Sequence, residues 1–537
     1  MAEQIIDALV VGAGPVGLFC ANELFRHGVS CRIIDKKSAL SDKSKALAIH
    51  IRTLETFEDT SFLNDVLAEG HKVYGVLLKS DSGLLSEINF EKIGSNYNFL
   101  IDLPQNKTEA ILYQGLCAKD ISLEWQTELI SFQEGDPVTA LVKKANGQIE
   151  EIATKWIIAC DGAHSTLRHL CNAKFLGAEY KQQWWLADLY IQGELPEDKL
   201  VIYTSLNGPL ICLPMGDKRY RLIMTKPATK QTQPTLNDII TLFNERSSDK
   251  AKLYDPIWLA DFSIHHRQVD NYRYGHVFFC GDAAHIHSPM GGQGLNTGIQ
   301  DVYNLVWKLS LVLKGYAKEV LLDSYQIERH PIARAILKKT DLMTKMISLK
   351  SKPLINLRNK IMIKFTAHDF LMTPVVKDLA ELNISYAKSP IVSVKGQKTR
   401  FHIGEFIPAI TLKSLSQRTS KLLETICLGT LHNVFIFLQR KDFNKEVEEK
   451  LIDLTQKYQL VLHIHLVLLD SLNISSQLSS VWLDENYIIQ NRFNIKNSVT
   501  MVVRPDKYIG YIESPFNLEH LEEWLENIFN LNPDEAI

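Results

Sequence analysis

Residues 5–35 read IIDALVVGAGPVGLFCANELFRHGVSCRIID, and this stretch decides the fold. An apolar run meets a glycine-rich turn, Gly12-Ala13-Gly14-Pro15-Val16-Gly17, which opens a helical stretch, LFCANELFRHG, and then a second apolar run, SCRIID. Strand, turn, helix and strand of this length form a βαβ unit, the building block of parallel α/β sheets. The glycines have separate tasks: a tight turn, close approach of backbone to a pyrophosphate, and close helix packing. The helix that follows aims its partly positive N-terminus at the phosphates. Asp35 ends the second strand, 18 residues past Gly17, near the spacing of an acceptor for ribose hydroxyls. A lone G-x-G-x-x-G is a weak signal, and an ordinary glycine turn is its plain alternative. Strand, helix and acid together argue against that alternative. By itself the unit suits NAD or FAD equally.

The rest of the chain agrees with a large soluble globular protein. It has 537 residues, enough for two or three domains, with 45% hydrophobic and 23% charged residues and a formal net charge of -3. That balance lacks the basic excess of a nucleic-acid binder. The N-terminus has no basic region before an apolar stretch, and no apolar run reaches membrane-spanning length, so a cytoplasmic protein is expected. Eight cysteines without a C-x-x-C pair read as free thiols of a reducing compartment.

Two later segments repeat the pattern of a strand ending in a Gly-Asp or Asp-Gly step. KWIIAC leads into Asp161 and the sequence DGAHSTLR; HVFFC leads into Gly281, Asp282 and GDAAHIHSPMGGQGLNTG. Gly291, Gly292 and Gly294 remove side chains, so that backbone can lie along a flat ring system. Leu295 and Asn296 then begin a long helix, LNTGIQDVYNLVWKLSLVL, whose dipole would favour negative charge at its start.

In this order, over residues 1 to about 345, the three motifs resemble the class A flavoprotein monooxygenases, the aromatic-ring hydroxylases of the p-hydroxybenzoate hydroxylase type. The tail, with VVRPDKYIGY before an amphipathic helix, resembles the thioredoxin-like C-terminal domain of the phenol and pentachlorophenol hydroxylase subgroup. The resemblance implies an α/β fold: a Rossmann-like FAD-binding domain with an inserted β-sheet substrate domain and a C-terminal thioredoxin-like domain. The expected boundaries are 1–75, 100–180 and 270–345 for the FAD-binding domain and 76–99 with 181–269 for the β-rich substrate domain. A helical segment over 346–386 and a polar linker over 387–400 follow, and 401–537 form the thioredoxin-like domain without C-x-x-C.

The resemblance also implies residue roles. Gly12, Ala13, Gly14, Pro15, Val16 and Gly17 hold the pyrophosphate of a non-covalent FAD, and Asp35 with Lys36 its adenosine ribose. In SKALAIHIRTLE, Lys45 stands where the family usually has arginine, which keeps the charge but loses the planar fork; Arg52 matches the family. Gln105 in LPQNKTE contacts the FAD, Leu129 offers backbone to the adenine, and Gly281-Asp282 meets the ribityl chain. Asp161 belongs to a segment serving both FAD and a transient NAD(P)H. Pro289, Gly292, Gly294, Leu295 and Asn296 border the ring. No residue declares itself a general base; the catalytic candidates are Arg267 and Pro289. Arg267, following His265 and His266, reads equally as a steering cation or a solvated one. His285 and His287 lack a third ligand at metal spacing, and no metal is expected. The basic residues between Lys345 and Lys364, Arg358 among them, read as a solvated helical face.

The implied reaction uses NAD(P)H and O2 to form a flavin C4a-hydroperoxide that hydroxylates a small aromatic or polycyclic substrate. Three alternatives share the motifs: an antibiotic-inactivating monooxygenase acting on a tetracycline or rifamycin, a flavin oxidoreductase that inserts no oxygen, and a non-catalytic flavoprotein. A homodimer through the tail domain stays open.

Overall fold

A computed structural model describes residues 5–531 apart from 43, 82, 92, 228–229, 231–232, 350, 367–368, 416–418 and 470–479. The chain divides into two compact units. The first comprises Met1–Asn22, Ser30–Val302 and Pro331–Leu382, and the second Glu23–Val29, Tyr303–His330 and Asn383–Ile537.

The first unit is built on two eight-stranded sheets and a small three-stranded one. In the first sheet, strand Ile6–Val11 lies between Cys31–Asp35 and Ile149–Ala159, parallel to both, and Val277–Phe279 continues the parallel run. Val11 stands opposite Ile34 and Ala159, and Ala159 opposite Phe279, so four strands end level at one edge. Gly12, Asp35, Cys160 and Cys280 follow from that edge. This is where ligands bind in open α/β sheets. The strands carry near-continuous apolar runs because both faces are covered; Ala8, Leu9 and Val10 are fully buried. Helix Pro15–Arg26 begins on proline, whose fixed φ suits a first helical position.

The second sheet pairs two 19-residue strands, Phe175–Gly193 and Ala251–Val269, with register shifts between Glu179 and Gln183 and between Asp188 and Tyr190. Strands Arg219–Thr225, Gly208–Pro214, Lys199–Ser205, Gly75–Ser80 and Gly83–Asn89 extend it. Strand alternation sorts its side chains. Val201, Tyr203, Leu210, Cys212, Leu222 and Met224 pack with helix Leu236–Arg246, while Leu200, Ile202, Ile211, Leu213 and Ile223 line a cavity on the opposite face. Both faces are therefore apolar; one packs on the helix, and the other combines a smaller core cluster around Ile211, Leu213 and Ile223 with the cavity wall.

The second unit centres on strand His432–Leu438, buried at all seven positions. It runs parallel to Leu462–Leu468 and antiparallel to Val499–Val503, which pairs antiparallel with Ile509–Ser514. Helices Lys445–Lys457 and Leu518–Ile528 complete the strand–helix–strand and hairpin–helix order. Two features differ from the boundaries expected above. Ser393–Gly396, inside the expected linker, is a strand paired in parallel with Ile509–Ser514. Residues 303–330, expected in the FAD-binding domain, belong to the second unit. There Arg504 grips Glu328 at 2.6 and 2.9 Å, and Lys308 reaches the same carboxylate at 2.7 Å. All three are essentially solvent-free, and the two cations hold the Glu328 carboxyl far below its usual range.

Candidate functional site

The cavity of the first unit has a volume of about 1810 Å³, well above the roughly 300–1,000 Å³ of a single small-molecule pocket. At one end it is walled by the residues that leave the carboxyl edge of the first sheet. At the other it is walled by the free face of the second sheet and by side chains of helices Asp323–Ile347, Lys352–Thr366 and Asp369–Leu379. Gly12, Gly14, Pro15, Val16, Asp35, Lys36, Lys45, Gln105, Leu129, Asp161, Asp282, Pro289, Gly292, Gly294, Leu295 and Arg267 all line it.

The three motif glycines do different work. A Cβ on Gly12 would come within 2.4 Å of the Cys160 carbonyl oxygen, and one on Gly17 within 1.8 Å of the Gly12 carbonyl oxygen. Both are required by packing. A Cβ on Gly14 would meet no protein atom within 4 Å, yet Gly14 lines the cavity. Its empty side is a cradle for something outside the protein, placed at the start of a helix. Asp35 accepts the Ala13 N–H at 2.7 Å and the Lys37 N–H at 2.8 Å, one on each carboxylate oxygen. It therefore sets the glycine loop, and lone pairs remain for ribose hydroxyls.

At the second strand end, Asp161 caps Leu167 N–H with one oxygen at 3.1 Å, while the other is buried without a partner. Burial raises its carboxyl above the usual range against the pull of those hydrogen bonds. Arg168 closes the same loop through the carbonyls of Ala163 at 2.7 Å and Ala283 at 3.3 Å and lies 3.9 Å from the Phe175 ring centre. Asp282 lines the cavity and is exposed. Desolvation raises its carboxyl too, opposed by the charges of His285, Lys45 and Arg168.

The glycine segment is fixed by a clamp that sequence reading missed. Asn296 is fully buried, and its side chain donates to the carbonyls of Ala48 at 2.9 Å and Gly292 at 2.8 Å while accepting His50 N–H at 2.8 Å. His50 Nε2 meets the Gly291 carbonyl at 2.7 Å. A carbonyl only accepts, so Nε2 carries the proton and Nδ1, buried and unpaired, is a bare acceptor. Gly291 and Gly292 have φ of 93° and 65°, the left-handed region, and a Cβ on Gly292 would approach Ala48 Cβ at 3.0 Å. Behind them, Asp301 on helix Gly294–Leu313 accepts from Gly281 N–H at 3.1 Å and pairs with His285 Nε2 at 2.7 Å. The His285 and His287 rings lie parallel, 5.9 Å apart, and no group of three metal-ligating residues occurs among the described residues.

Several expected contacts fall elsewhere. Arg52 is buried off the cavity wall and paired with Glu55 at 2.5 Å. Gln105 spends its carboxamide on Ala46 N–H at 3.0 Å and on Glu109 at 2.9 Å, so it shapes the Lys45–Ala46 loop. Ala13, Gly17, Gly281 and Asn296 stand behind the wall, not in it. Arg221, on strand Arg219–Thr225, joins the two halves of the wall: it is bidentate to Asp188 at 2.8 Å and donates to the Lys45 carbonyl at 2.9 Å. Of the basic residues read as a solvated face, Arg358 is 5% exposed and lines the cavity, and Lys350 lies outside the described residues. The motif letters of His50 and Arg168 were in view, but nothing local marked them.

A glycine cradle at a helix start, an acid with spare lone pairs, an unpaired buried carboxyl oxygen and a second helix start beside a glycine segment fit a flavin dinucleotide. Residues 6–340 match the family model described as FAD binding domain, and the chain belongs to that family, whose cofactor is FAD. It is similar to the 6-methylpretetramide 4-monooxygenase of Streptomyces rimosus, 33% identical over 351 residues, which are 64% of this chain and 63% of that relative. It is likewise similar to the pentachlorophenol 4-monooxygenase of Sphingobium chlorophenolicum, 33% identical over 368 residues, 64% of this chain and 66% of the relative. The chain thus spans somewhat under two thirds of the length of these two relatives. The solved structure of an anhydrotetracycline hydroxylase from Streptomyces rimosus shares the fold, with a TM-score of 0.77, 24% identity, and coverage of 98% of this chain and 99% of that one.

Proposed function

We propose that the protein is an FAD-dependent monooxygenase that hydroxylates an aromatic or polycyclic substrate, with NAD(P)H as transient cosubstrate and O2 as oxidant. The observation that carries the reading is the continuity of one cavity from the dinucleotide cradle, past the glycine segment, into an apolar chamber with room for fused rings. The names of the relatives, monooxygenases of 6-methylpretetramide and of pentachlorophenol, support the same substrate class.

When bound, FAD supplies two-electron transfer from the nicotinamide and insertion of one oxygen atom from O2. The chain's residues supply the setting. Gly14 and the start of helix Pro15–Arg26 seat the pyrophosphate, and Asp35 orients the ribose. The start of helix Gly294–Leu313 presents N–H groups and a dipole that favour negative charge beside the glycine segment. Apolar side chains of the second sheet, with Met343, Met346, Met362 and Met372, exclude water; methionines fill irregular space and adapt to bulky ligands. The Arg267 side chain has no hydrogen-bond partner among the described residues and supplies a cation at the wall to steer an anionic group. Pro289 closes a turn onto Gly292 N–H at 2.9 Å, holding the segment's bend.

The second unit is read as thioredoxin-like without C-x-x-C. The supporting feature is its order of Ile509–Ser514, Val499–Val503, His432–Leu438 and Leu462–Leu468, with one helix joining the parallel pair and one after the hairpin. The eight cysteines are free, which supports a reducing, cytoplasmic setting.

The test is a screen of phenols, hydroxybenzoates and fused-ring polyketide aromatics for stimulated NAD(P)H oxidation, read with O2 uptake, H2O2 release and product mass. A stimulating compound should gain one oxygen atom. Stimulation with all O2 recovered as H2O2 and no oxygenated product would replace the monooxygenase reading by an oxidase or effector one.

A further inference from the structure

Arg358 is a buried cation of the apolar chamber that the cofactor end does not account for. Arg358, on helix Lys352–Thr366, is 5% exposed and lines the cavity. Its Nη1 donates to the Met346 carbonyl at 3.0 Å, and its Nε and Nη2 share the Asn359 side-chain oxygen at 3.1 and 2.8 Å. Nη2 also lies 3.5 Å from the Thr204 carbonyl. Every partner is a neutral oxygen. Among the described residues no carboxylate pairs with this guanidinium, and burial alone lowers its basicity, with no neighbouring charge opposing it. Neutral oxygens satisfy N–H groups but do not compensate a charge removed from water. The other buried arginine of the chamber, Arg221, has its carboxylate in Asp188.

The position is as informative as the charge. Leu213 stands opposite Arg221, whose Nη1 holds the Lys45–Ala46 loop at the dinucleotide end. Pro209, four residues along the same strand, stands opposite Thr204, whose carbonyl lies beside Arg358. Four strand residues span about 13 Å. Between the two levels the wall is Ile202 and Ile211, which stand opposite each other. Arg358 therefore faces the cavity across an apolar stretch from the cofactor end.

We propose that Arg358 is a specificity-determining residue that binds an ionised oxygen substituent, a carboxylate or an enolate, at the end of a fused-ring aromatic substrate remote from the flavin. Its planar fork suits such a group, and the hydrogen of Nη1 left over from Met346 is available to it. The inference rests on the chamber being the substrate site of the proposed monooxygenase.

The probes are anthracene-2-carboxylate and its neutral isostere anthracene-2-carboxamide, titrated against FAD-loaded enzyme and followed by probe and flavin fluorescence. The parent should prefer the carboxylate by roughly 10- to 100-fold, the worth of a charged hydrogen bond in a buried site. In Arg358→Met the preference should fall to about one, with carboxamide affinity and FAD content unchanged; if Arg358→Met fails to retain FAD, Arg358→Gln provides the same comparison. A carboxylate preference that survives in the variant overturns the proposal. So does equal binding by the parent, absence of binding by either probe, or a variant that weakens both probes alike, the mark of a purely structural arginine. The readout needs no turnover, so the two readings fail separately. An intact preference without any oxygenated product removes only the monooxygenase reading, and hydroxylation without the preference removes only the role of Arg358.

Discussion

Alanine at Gly14 and at Gly17 should act in opposite directions on the apoprotein, although the two positions are three residues apart in one motif. Gly17 is closed by protein: a Cβ there would lie 1.8 Å from the Gly12 carbonyl oxygen and 3.1 Å from Cys160 Cβ. Backbone must move to relieve that contact, and overpacking of this kind costs about 1–3 kcal/mol or more. Gly14 is open: its Cβ would touch nothing within 4 Å, and its φ is not in the left-handed region. Alanine there should leave the apoprotein unchanged or more stable by up to about 1 kcal/mol, through the loss of unfolded-chain entropy. With FAD the ranking changes. A methyl at Gly14 occupies the approach of the pyrophosphate to backbone N–H groups, and loss of one charge-assisted hydrogen bond lowers affinity by roughly 10- to 100-fold. Urea unfolding of the apoproteins and FAD titration by flavin fluorescence measure both quantities. A Gly14→Ala apoprotein destabilised as much as Gly17→Ala, or one that binds FAD like the parent, would refute the assignment of Gly14's empty side to the cofactor.

Two further substitutions test the supports. Asp301→Ala leaves Gly281 N–H and His285 without their shared acceptor in a fully buried position; a loss of about 3–5 kcal/mol is expected, with reduced FAD occupancy, read by thermal unfolding with and without excess FAD. Unchanged melting in both conditions would remove Asp301 from the supports. Arg504→Met uncovers Glu328 in the second unit and should cost a similar amount in chemical unfolding while FAD affinity stays at the parent value; a loss of FAD affinity without a loss of stability would contradict that separation.

The sequence made the cofactor end legible because its logic is local. The glycines, Asp35, Asp161 and Asp282 each sit at a strand end, and a short apolar run followed by glycine and acid announces that position. The clamp was not legible. Asn296 and His50 are 246 residues apart, and their hydrogen bond depends on where two separate segments fall in space. Long-range placement also hid the joining role of Arg221. The packing of residues 303–330 with the tail was hidden for a related reason. Asn304, Lys308 and Glu328 look like solvated residues on helices, yet they are buried and satisfied by Arg504 and Asp506 far along the chain. Arg358 was assigned to a solvated face because its neighbours in sequence are basic, while the helix turns that one residue toward the cavity. Ser393–Gly396 has no strand-like apolar pattern, since its role is to pair backbone with Ile509–Ser514 at the end of a sheet.

Two buried groups, His50 on the cavity wall and Asp102 behind it, shift toward their neutral forms, and this has a consequence for pH. Burial pulls His50 down to about 4 and pushes Asp102, beside the Ala48–Ile49 strand, up to about 8 despite the charge of Arg221. Their effects on stability have opposite slopes. A histidine with a lowered folded pKa binds a proton more readily when unfolded, so its term improves as pH rises from about 4 to about 6.5 and is flat above. An aspartate with a raised folded pKa binds its proton more readily when folded; its stabilising term is full below about 4 and is lost as pH rises to about 8. The Asp102 term has a ceiling of roughly 5 kcal/mol. Asp102→Asn should therefore flatten the alkaline side of the stability profile and raise the melting temperature most near pH 8. His50→Gln should flatten the acid side between about pH 4 and 6.5, its amide still able to donate to the Gly291 carbonyl. Thermal unfolding of FAD-loaded parent and variants across pH 4–9 separates the two. If Asp102→Asn shifted the acid side, or lowered stability at pH 8, the Asp102 carboxyl would be ionised and paired at neutral pH, and the neutral character argued for it would not hold.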